Sequence, residues 1–478
     1  MTELSVLDST GATPPRTAQW LRRLSVGSLV LILAWAPFPL GSAVSWGNGE
    51  LSLMLMIAML LWLAATMAGS VAPVVARRDV VVPFVLLLLV LGYALVQIVP
   101  IGASVWAHPI WTMTSEGLHR PIAGTISIDP WRSFVALTRL ALPVGAGVLT
   151  YSLAARRETA SFLFDAALII GVLYAVYAFV MLLTGKTQAG LVYGMKFDSQ
   201  FLSGPFMLHN SFATYIGMTA LGATMRLIYA ADGFVLRTRG VRWLAVTLIQ
   251  FVFGRGVGFV LAALIAPAAV VASASRGGFA AMVCGLLAMM IIGVVSLRRR
   301  RVALWPVVGV ILPIAAIFVF IVFNGNQLGD RLNEFLVGGD NEATRPVLWA
   351  AAERMIADAP WTGLGLGTFQ DAYPLYAVQA LPFVMDKTHS DYLELAAGLG
   401  LPAAIVLWVG LAWFAVVCAI GALRRRRDRQ FVLTALGASV LVAVHSAVDF
   451  SLQIPAVALQ YAVLLGIGVA QAARTRLH

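Results

Sequence analysis

A chain of 478 residues that is 60% hydrophobic and only 12% charged, with a mean hydropathy of +0.88, cannot cover a soluble surface, where charged residues average about 25%. Repeated apolar runs of about 20 residues, each able to cross a hydrocarbon core about 30 Å thick, leave a polytopic helical membrane protein as the class. The net charge of +11 does not call for nucleic acid, because in such a protein excess arginine gathers in cytoplasmic loops and sets orientation.

The polar opening MTELSVLDSTGATPPRTAQW lacks the layout of a cleavable signal peptide, so residues 1–23 are expected to form a disordered cytoplasmic tail. Twelve apolar spans follow, at 24–43, 51–70, 80–101, 133–154, 160–183, 209–230, 257–275, 277–297, 303–323, 398–421, 431–448 and 453–472. Residues 24–323 thus hold helices 1–9 and residues 398–478 hold helices 10–12 with a short cytoplasmic C-terminus. The stretch 241–256, bracketed by Arg242 and Arg255, reads either as an interfacial helix or as an extension of the seventh span. The two cysteines, Cys284 and Cys418, lie inside apolar runs and read as small buried hydrophobes, giving neither a disulfide nor a zinc site.

A cytoplasmic N-terminus places 23 of the 33 Lys and Arg on the inside. These include Arg22, Arg77, Arg78, Arg156, Arg157, Arg226 and the runs 298–301 and 424–427. The reverse orientation would put both runs outside, against the positive-inside tendency, so both termini are expected in the cytoplasm. The outward segments are then 102–132, 184–208 and 324–397. The last far exceeds ordinary loop length and should carry structure or function.

Within that long segment Arg345 to Ala359 reads as a helix, with Thr344 as N-cap, Pro346 in the first turn and Pro360 ending it. Leu348, Ala352, Met355 and Ala359 give it one apolar face, widened by Trp349 and Ile356. The expectation is a helix lying on the membrane surface with that face down. The run Gly363 to Gly367 lacks a dinucleotide-binding context; it reads as a turn between packed helices, or as a nest of N–H groups beside a phosphate.

Several polar residues carry candidate chemistry. Arg139 sits inside span four and Arg276 at the outer junction of spans seven and eight, where an arginine is costly unless paired, wetted or functional. Arg345 opens the amphipathic helix. Two arginines at headgroup depth suit a diphosphate, because planar guanidinium groups bind phosphate oxygens bidentately. His389 lies in a polar cluster with Asp386, Lys387, Thr388, Ser390 and Asp391; a neutral imidazole there can take a proton from a sugar hydroxyl, and a nearby carboxylate can orient it. His209 and Asn210 start span six, and His445 and Asp449 close span eleven at the same outer level. Both pairs, with Asp391 and Arg139, are pocket-lining candidates. No metal constellation and no cofactor motif emerges.

The combination of GPFMLHNSFATYI, SASRGG, RPVLWAAAERMIADAPWTGLGLGTF and THSDYLELAAGLGL resembles the O-antigen ligase and polymerase family of bacterial envelope glycan enzymes, most strongly over roughly 200–410. The resemblance implies an all-α polytopic membrane protein with about 12 transmembrane helices and a large, partly helical periplasmic loop between helices 9 and 10. It implies the bacterial inner membrane, an active site facing the periplasm, and a metal-independent glycosyltransferase. The donor would be an undecaprenyl-diphosphate-linked glycan, and the acceptor a glycan or lipid A-core, as in an O-antigen ligase or an O-antigen or exopolysaccharide polymerase. Arg276 and Arg345 would bind the diphosphate and His389 would activate the acceptor. Many members carry Asn directly after this His, where this chain has Ser390. A lipid-linked glycan flippase and a protein O-oligosaccharyltransferase are the alternatives; the former is disfavoured by the long outward segment, since a carrier needs sites open to both faces.

Overall fold

The computed structural model describes residues 15–69, 77–101, 106–194, 201–235, 246, 250, 254, 256–296, 340–377, 379, 385–425 and 427–473. The ninth expected span, residues 1–14 and most of 241–256 lie outside them. The described residues form helices and turns and contain no strand.

The chain opens with α1 (Arg16–Trp35), α2 (Ser45–Met67), α3 (Arg78–Val96) and the short α4 (Ile110–Gly117). It continues with α5 (Pro130–Leu153), α6 (Arg157–Leu183), the short α7 (Gln188–Tyr193), α8 (His209–Val235), α9 (Val257–Ala272) and α10 (Arg276–Ser296). After the undescribed stretch come α11 (Asp340–Asp358), α12 (Phe369–Tyr376), α13 (Asp391–Leu399), α14 (Leu401–Arg424), α15 (Arg429–His445) and α16 (Pro455–Ala470). Six of these, α2, α3, α5, α6, α10 and α14, are long and apolar enough to cross a membrane; α9, α15 and α16 are shorter apolar helices.

Three boundaries differ from the sequence reading. Helix α1 begins at Arg16, inside the expected disordered tail, and Arg22 reaches Thr159 at the start of α6. It stops at Trp35 because Pro37 and Pro39 follow, and the chain turns through a 3-10 segment at Leu40–Ser42. The tenth expected span is broken at Gly400 (φ 77°), which separates α13 from α14; Pro402 starts the second helix where a missing N–H is harmless.

The bundle closes through α10 on α15, α16 on α5, α9 on α8 and α14 on α3. Its core of Leu, Ala, Val and Phe runs continuously through these helices. A second, smaller core sits at one end. Leu348, Ala352 and Met355 of α11 are buried there against Leu364, Phe369, Tyr373 and Ala397. The apolar face of α11 therefore packs on α12 and α13, not down on the membrane, and each such side chain contributes about 1.5–3 kcal/mol by leaving water. The helix also starts at Asp340, so Thr344 is not its N-cap and Arg345 lies beyond its first turn.

The glycine run is the joint of this end. Gly363 (φ 66°) packs so closely that a Cβ would meet the Gly398 carbonyl oxygen at 2.3 Å. Leu364 N donates to Ala397 O (2.9 Å) and Gly365 N to Gly398 O (3.0 Å). Leu366 N donates to the Gln97 side chain (3.1 Å), whose amide in turn donates to Thr362 O and Gly398 O. With those N–H groups engaged inside the protein, the loop is a backbone-to-backbone splice and not a phosphate nest.

Candidate active site

The segment Thr388–Asp391 is shaped by its own hydrogen bonds. Ser390 caps α13, its Oγ accepting from Leu393 N (3.5 Å). The position after the histidine is thus used as a helix cap. Glu394 reaches back from the first turns of α13 to accept from Thr388 N (3.0 Å) and to pair with Lys387 Nζ (2.8 Å). Asp391 N donates to the Ser446 and Asp449 carbonyls (2.9 and 3.1 Å), locking the segment onto the turn after α15. Between these anchors His389 is held at φ 54°, a left-handed conformation that costs a non-glycine residue on the order of 1–3 kcal/mol and persists only where the surroundings impose it.

The His389 ring is 30% exposed, and its Nδ1 lies 3.4 Å from Oδ1 of the fully buried Asp449. The ring stands edge-on to Phe450 with centroids 5.0 Å apart. Asp449 also accepts from Ser451 Oγ (2.6 Å). Burial alone would raise its carboxyl, but the contacts with His389, His445 and Ser451 outweigh burial and hold it below the usual carboxylate range. The carboxylate beside His389 therefore comes from the far side of α15, not from the local cluster. Asp391 is buried as well and faces elsewhere, accepting from Ser446 Oγ (2.9 Å) and Gln453 Nε2 (3.2 Å). Burial pushes its carboxyl up to about 7, against the lowering effect of these two bonds.

Behind Asp449 runs a line of hydroxyls. Thr214 Oγ1 of α8 lies 3.0 Å from Ser451 Oγ and 2.6 Å from His445 Nδ1. His445 in turn backs onto the start of α10, where a Cβ on Gly277 would come within 3.1 Å of its ring. The sequence SASRGG makes this approach: Ser275 Oγ accepts from Gly278 N (3.1 Å), capping α10, and two glycines leave room for the neighbours. His209 Nδ1 donates to Ser273 O (2.9 Å) and Asn210 Oδ1 accepts from Ser275 Oγ (2.7 Å), so this pair fixes the turn that presents Arg276. Arg345, half-buried on α11, is close enough to act electrostatically on both His209 and His445.

The structure thus brings His389, Asp449, His445, His209, Asn210, Arg276 and Arg345 to one end of the bundle, drawn from α8, α10, α11, α15 and two loops. Arg139 is not among them; its Nη2 donates to Ala43 O (2.9 Å) on the wall of a separate cavity. Sequence reasoning missed Thr214 and Ser451, hydroxyls with no local signal, and Gln97, which was legible as a lone amide inside an apolar run.

Residues 260–408 match the family model described as O-antigen ligase. That ligase-like segment, about a third of the chain, contains Arg276, Arg345 and His389, and it supports the family resemblance drawn from the sequence. His209, His445 and Asp449 lie outside it yet complete the same cluster. A comparison with curated proteins finds no match. An enzyme of the O-antigen ligase and polymerase type, working in a membrane on lipid-linked glycan, is the general function this supports.

Proposed function

We propose that the protein is a glycosyltransferase that moves a glycan from an undecaprenyl-diphosphate donor to a sugar hydroxyl at the periplasmic face of the bacterial inner membrane. The observation that carries this reading is the partly exposed His389 ring beside the buried Asp449, at the end of the bundle that also holds Arg276 and Arg345. With Nδ1 donating to Asp449, Nε2 is the basic nitrogen and faces the acceptor. As the acceptor oxygen attacks the anomeric carbon, its proton passes to Nε2 and the bond from that carbon to the diphosphate oxygen breaks. The imidazolium is stabilised by the Asp449 carboxylate, and the charge gained by the leaving diphosphate is met by Arg276 and Arg345. Displacement in one step inverts the anomeric centre, which product NMR reads directly. No metal ion has a part in these steps.

The orientation is supported by the opposite end of the bundle, where Arg22, Arg77, Arg157, Arg226 and Arg425 gather. Both termini are then cytoplasmic and the His389 end periplasmic. The test is reconstitution of the full chain with undecaprenyl-diphosphate glycan and candidate acceptors. Capping of lipid A-core marks a ligase, and lengthening of a glycan marks a polymerase. Glycan on a protein acceptor marks an oligosaccharyltransferase. Donor movement between leaflets without bond formation would sink the enzyme reading.

A further inference from the structure

A carboxylate buried as deeply as Asp449 needs its charge compensated, and the 3.4 Å contact with His389 Nδ1 is long for that task. Further support comes from the opposite side. Ser451 Oγ lies 2.6 Å from Asp449 Oδ2, Thr214 Oγ1 lies 3.0 Å from Ser451 Oγ, and His445 Nδ1 lies 2.6 Å from Thr214 Oγ1. All three residues are buried. They come from separate elements: Thr214 from α8, His445 from the last position of α15, and Ser451 from the 3-10 turn at Ser451–Gln453.

Each hydroxyl has one proton to give, and that fixes the direction of the chain. An ionised carboxylate only accepts, so Ser451 donates to Asp449 and its oxygen is left to accept. Thr214 has three acceptors in reach, His445 Nδ1, Ser451 Oγ and the Asn210 carbonyl at 3.1 Å. The Asn210 carbonyl is already the helix acceptor one turn back. A proton given to His445 would leave Ser451 Oγ with no donor from either neighbour. Given to Ser451, it leaves Thr214 Oγ1 to accept from His445 Nδ1–H, and every proton has its own acceptor. The order is then His445 to Thr214 to Ser451 to Asp449, with His389 donating to the same carboxylate from the other side. A Gly277 Cβ would come within 3.2 Å of His445 Nε2, so the chain ends against the turn that carries Arg276.

Resting on the glycosyl-transfer reading above, we propose that His445, Thr214 and Ser451 are positioning residues whose aligned hydrogen bonds share the Asp449 charge, so that the proton drawn from the acceptor settles on His389 and can leave it again. Dipoles that all point their positive ends at one carboxylate polarise one another. Without them a buried anion would hold the imidazolium tightly, and His389 would already be protonated at neutral pH and unable to accept. The other charged or titratable groups around the pair are Lys387, Asp391 and Glu394 beside His389, Arg345 on α11, His209 on α8 and Arg276 at the start of α10. The substitutions below leave all of them in place.

The experiment uses the full chain in nanodiscs and reads the His389 ring titration, by NMR of ring-labelled histidine assigned with His389→Gln, beside the pH profile of single-turnover transfer. Ser451→Ala removes the bond to Asp449, the isosteric Thr214→Val removes the link behind it, and Thr214→Ser restores that hydroxyl. His445→Asn keeps a donor near the Nδ1 position, whereas His445→Leu does not. The expected result for Ser451→Ala is a His389 midpoint and an acid limb of transfer both moved up by about 0.5–1 pH unit. Transfer then slows about 3- to 10-fold on that limb and recovers on the plateau. Thr214→Val and His445→Leu move both in the same direction by less, and Thr214→Ser and His445→Asn match the unaltered protein. Asp449→Asn moves the midpoint down. Thermal unfolding in detergent checks each variant, and Thr214→Val carries the test if Ser451→Ala does not fold. A uniform loss of rate with the midpoint unmoved would reduce the chain to packing and overturn the proposal. A downward shift in Ser451→Ala would overturn it too. Absence of transfer by the unaltered protein, with the His389 midpoint still raised by Ser451→Ala, would remove the glycosyl-transfer reading while upholding the chain's hold on His389.

Discussion

The two ends of the bundle use charge in opposite ways. At the end away from His389, arginines close onto the protein itself: Arg157 on Asp428 (2.8 Å), Arg226 on Asp165 (2.6 Å) and Arg425 on the Gln471 and Ala473 carbonyls. These contacts tie α6 to the α14–α15 turn, α8 to α6 and α14 to α16. At the His389 end, Arg345 lies in the electrostatic field of histidines, the carboxylate next to His389 is buried, and His389 itself is held left-handed at φ 54°. Charge neutralised by internal partners is joinery. Charge collected around titratable rings, one of them partly exposed, is arranged for something that arrives.

The comparison breaks most sharply at Asp449. Asp449→Asn keeps the shape but removes the charge that favours the Nδ1–H tautomer of His389, and transfer should fall roughly 10²- to 10⁴-fold with donor affinity retained. Steady-state transfer with a donor titration checks this; turnover within twofold of the unaltered protein would assign Asp449 to structure. Next comes the glycine splice. Gly363→Ala places a Cβ at 2.3 Å from the Gly398 carbonyl oxygen on a left-handed backbone. It should cost on the order of 1–3 kcal/mol and lower activity through displacement of α13, with a lowered Tm as the readout.

A smaller effect is expected from pH. Burial raises the Asp391 carboxyl to about 7, above its value in the unfolded chain, so the neutral acid favours the folded state and ionisation opposes it. This contribution is present below the unfolded carboxylate range and is lost as pH rises through about 7. The Tm should decline over that interval, and Asp391→Asn should flatten the decline. The smallest effect belongs to the arginine end. Arg226→Gln breaks a partly exposed pair, worth about 1 kcal/mol at most, and should leave transfer unchanged while lowering Tm slightly.

How much was legible from the chain alone follows from which interactions are local. The 3.6-residue pattern of Leu348, Ala352 and Met355 revealed an apolar face, because periodicity is a property of the helix itself. What covers that face was not legible; Leu364, Phe369, Tyr373 and Ala397 meet it only through the splice at Gly363–Gly398. His389 stood out because its polar neighbours are adjacent in sequence. Its carboxylate did not, since Asp449 is 60 residues away and three nearer acids, Asp386, Asp391 and Glu394, competed for the role. The break at Gly400 could have been read from Gly400 followed by Pro402, but the apolar run around it concealed the signal. Arg139 was marked by its depth, whereas the cavity it lines depends on four helices from both ends of the chain.

The measurement closest to the central claim is donor binding and single-turnover transfer by His389→Ala, side by side in nanodiscs. Unchanged donor affinity with transfer slowed by about 10²- to 10⁴-fold is the result expected of a base that acts on the acceptor. Transfer at the unaltered rate would contradict it and move the chemistry away from His389.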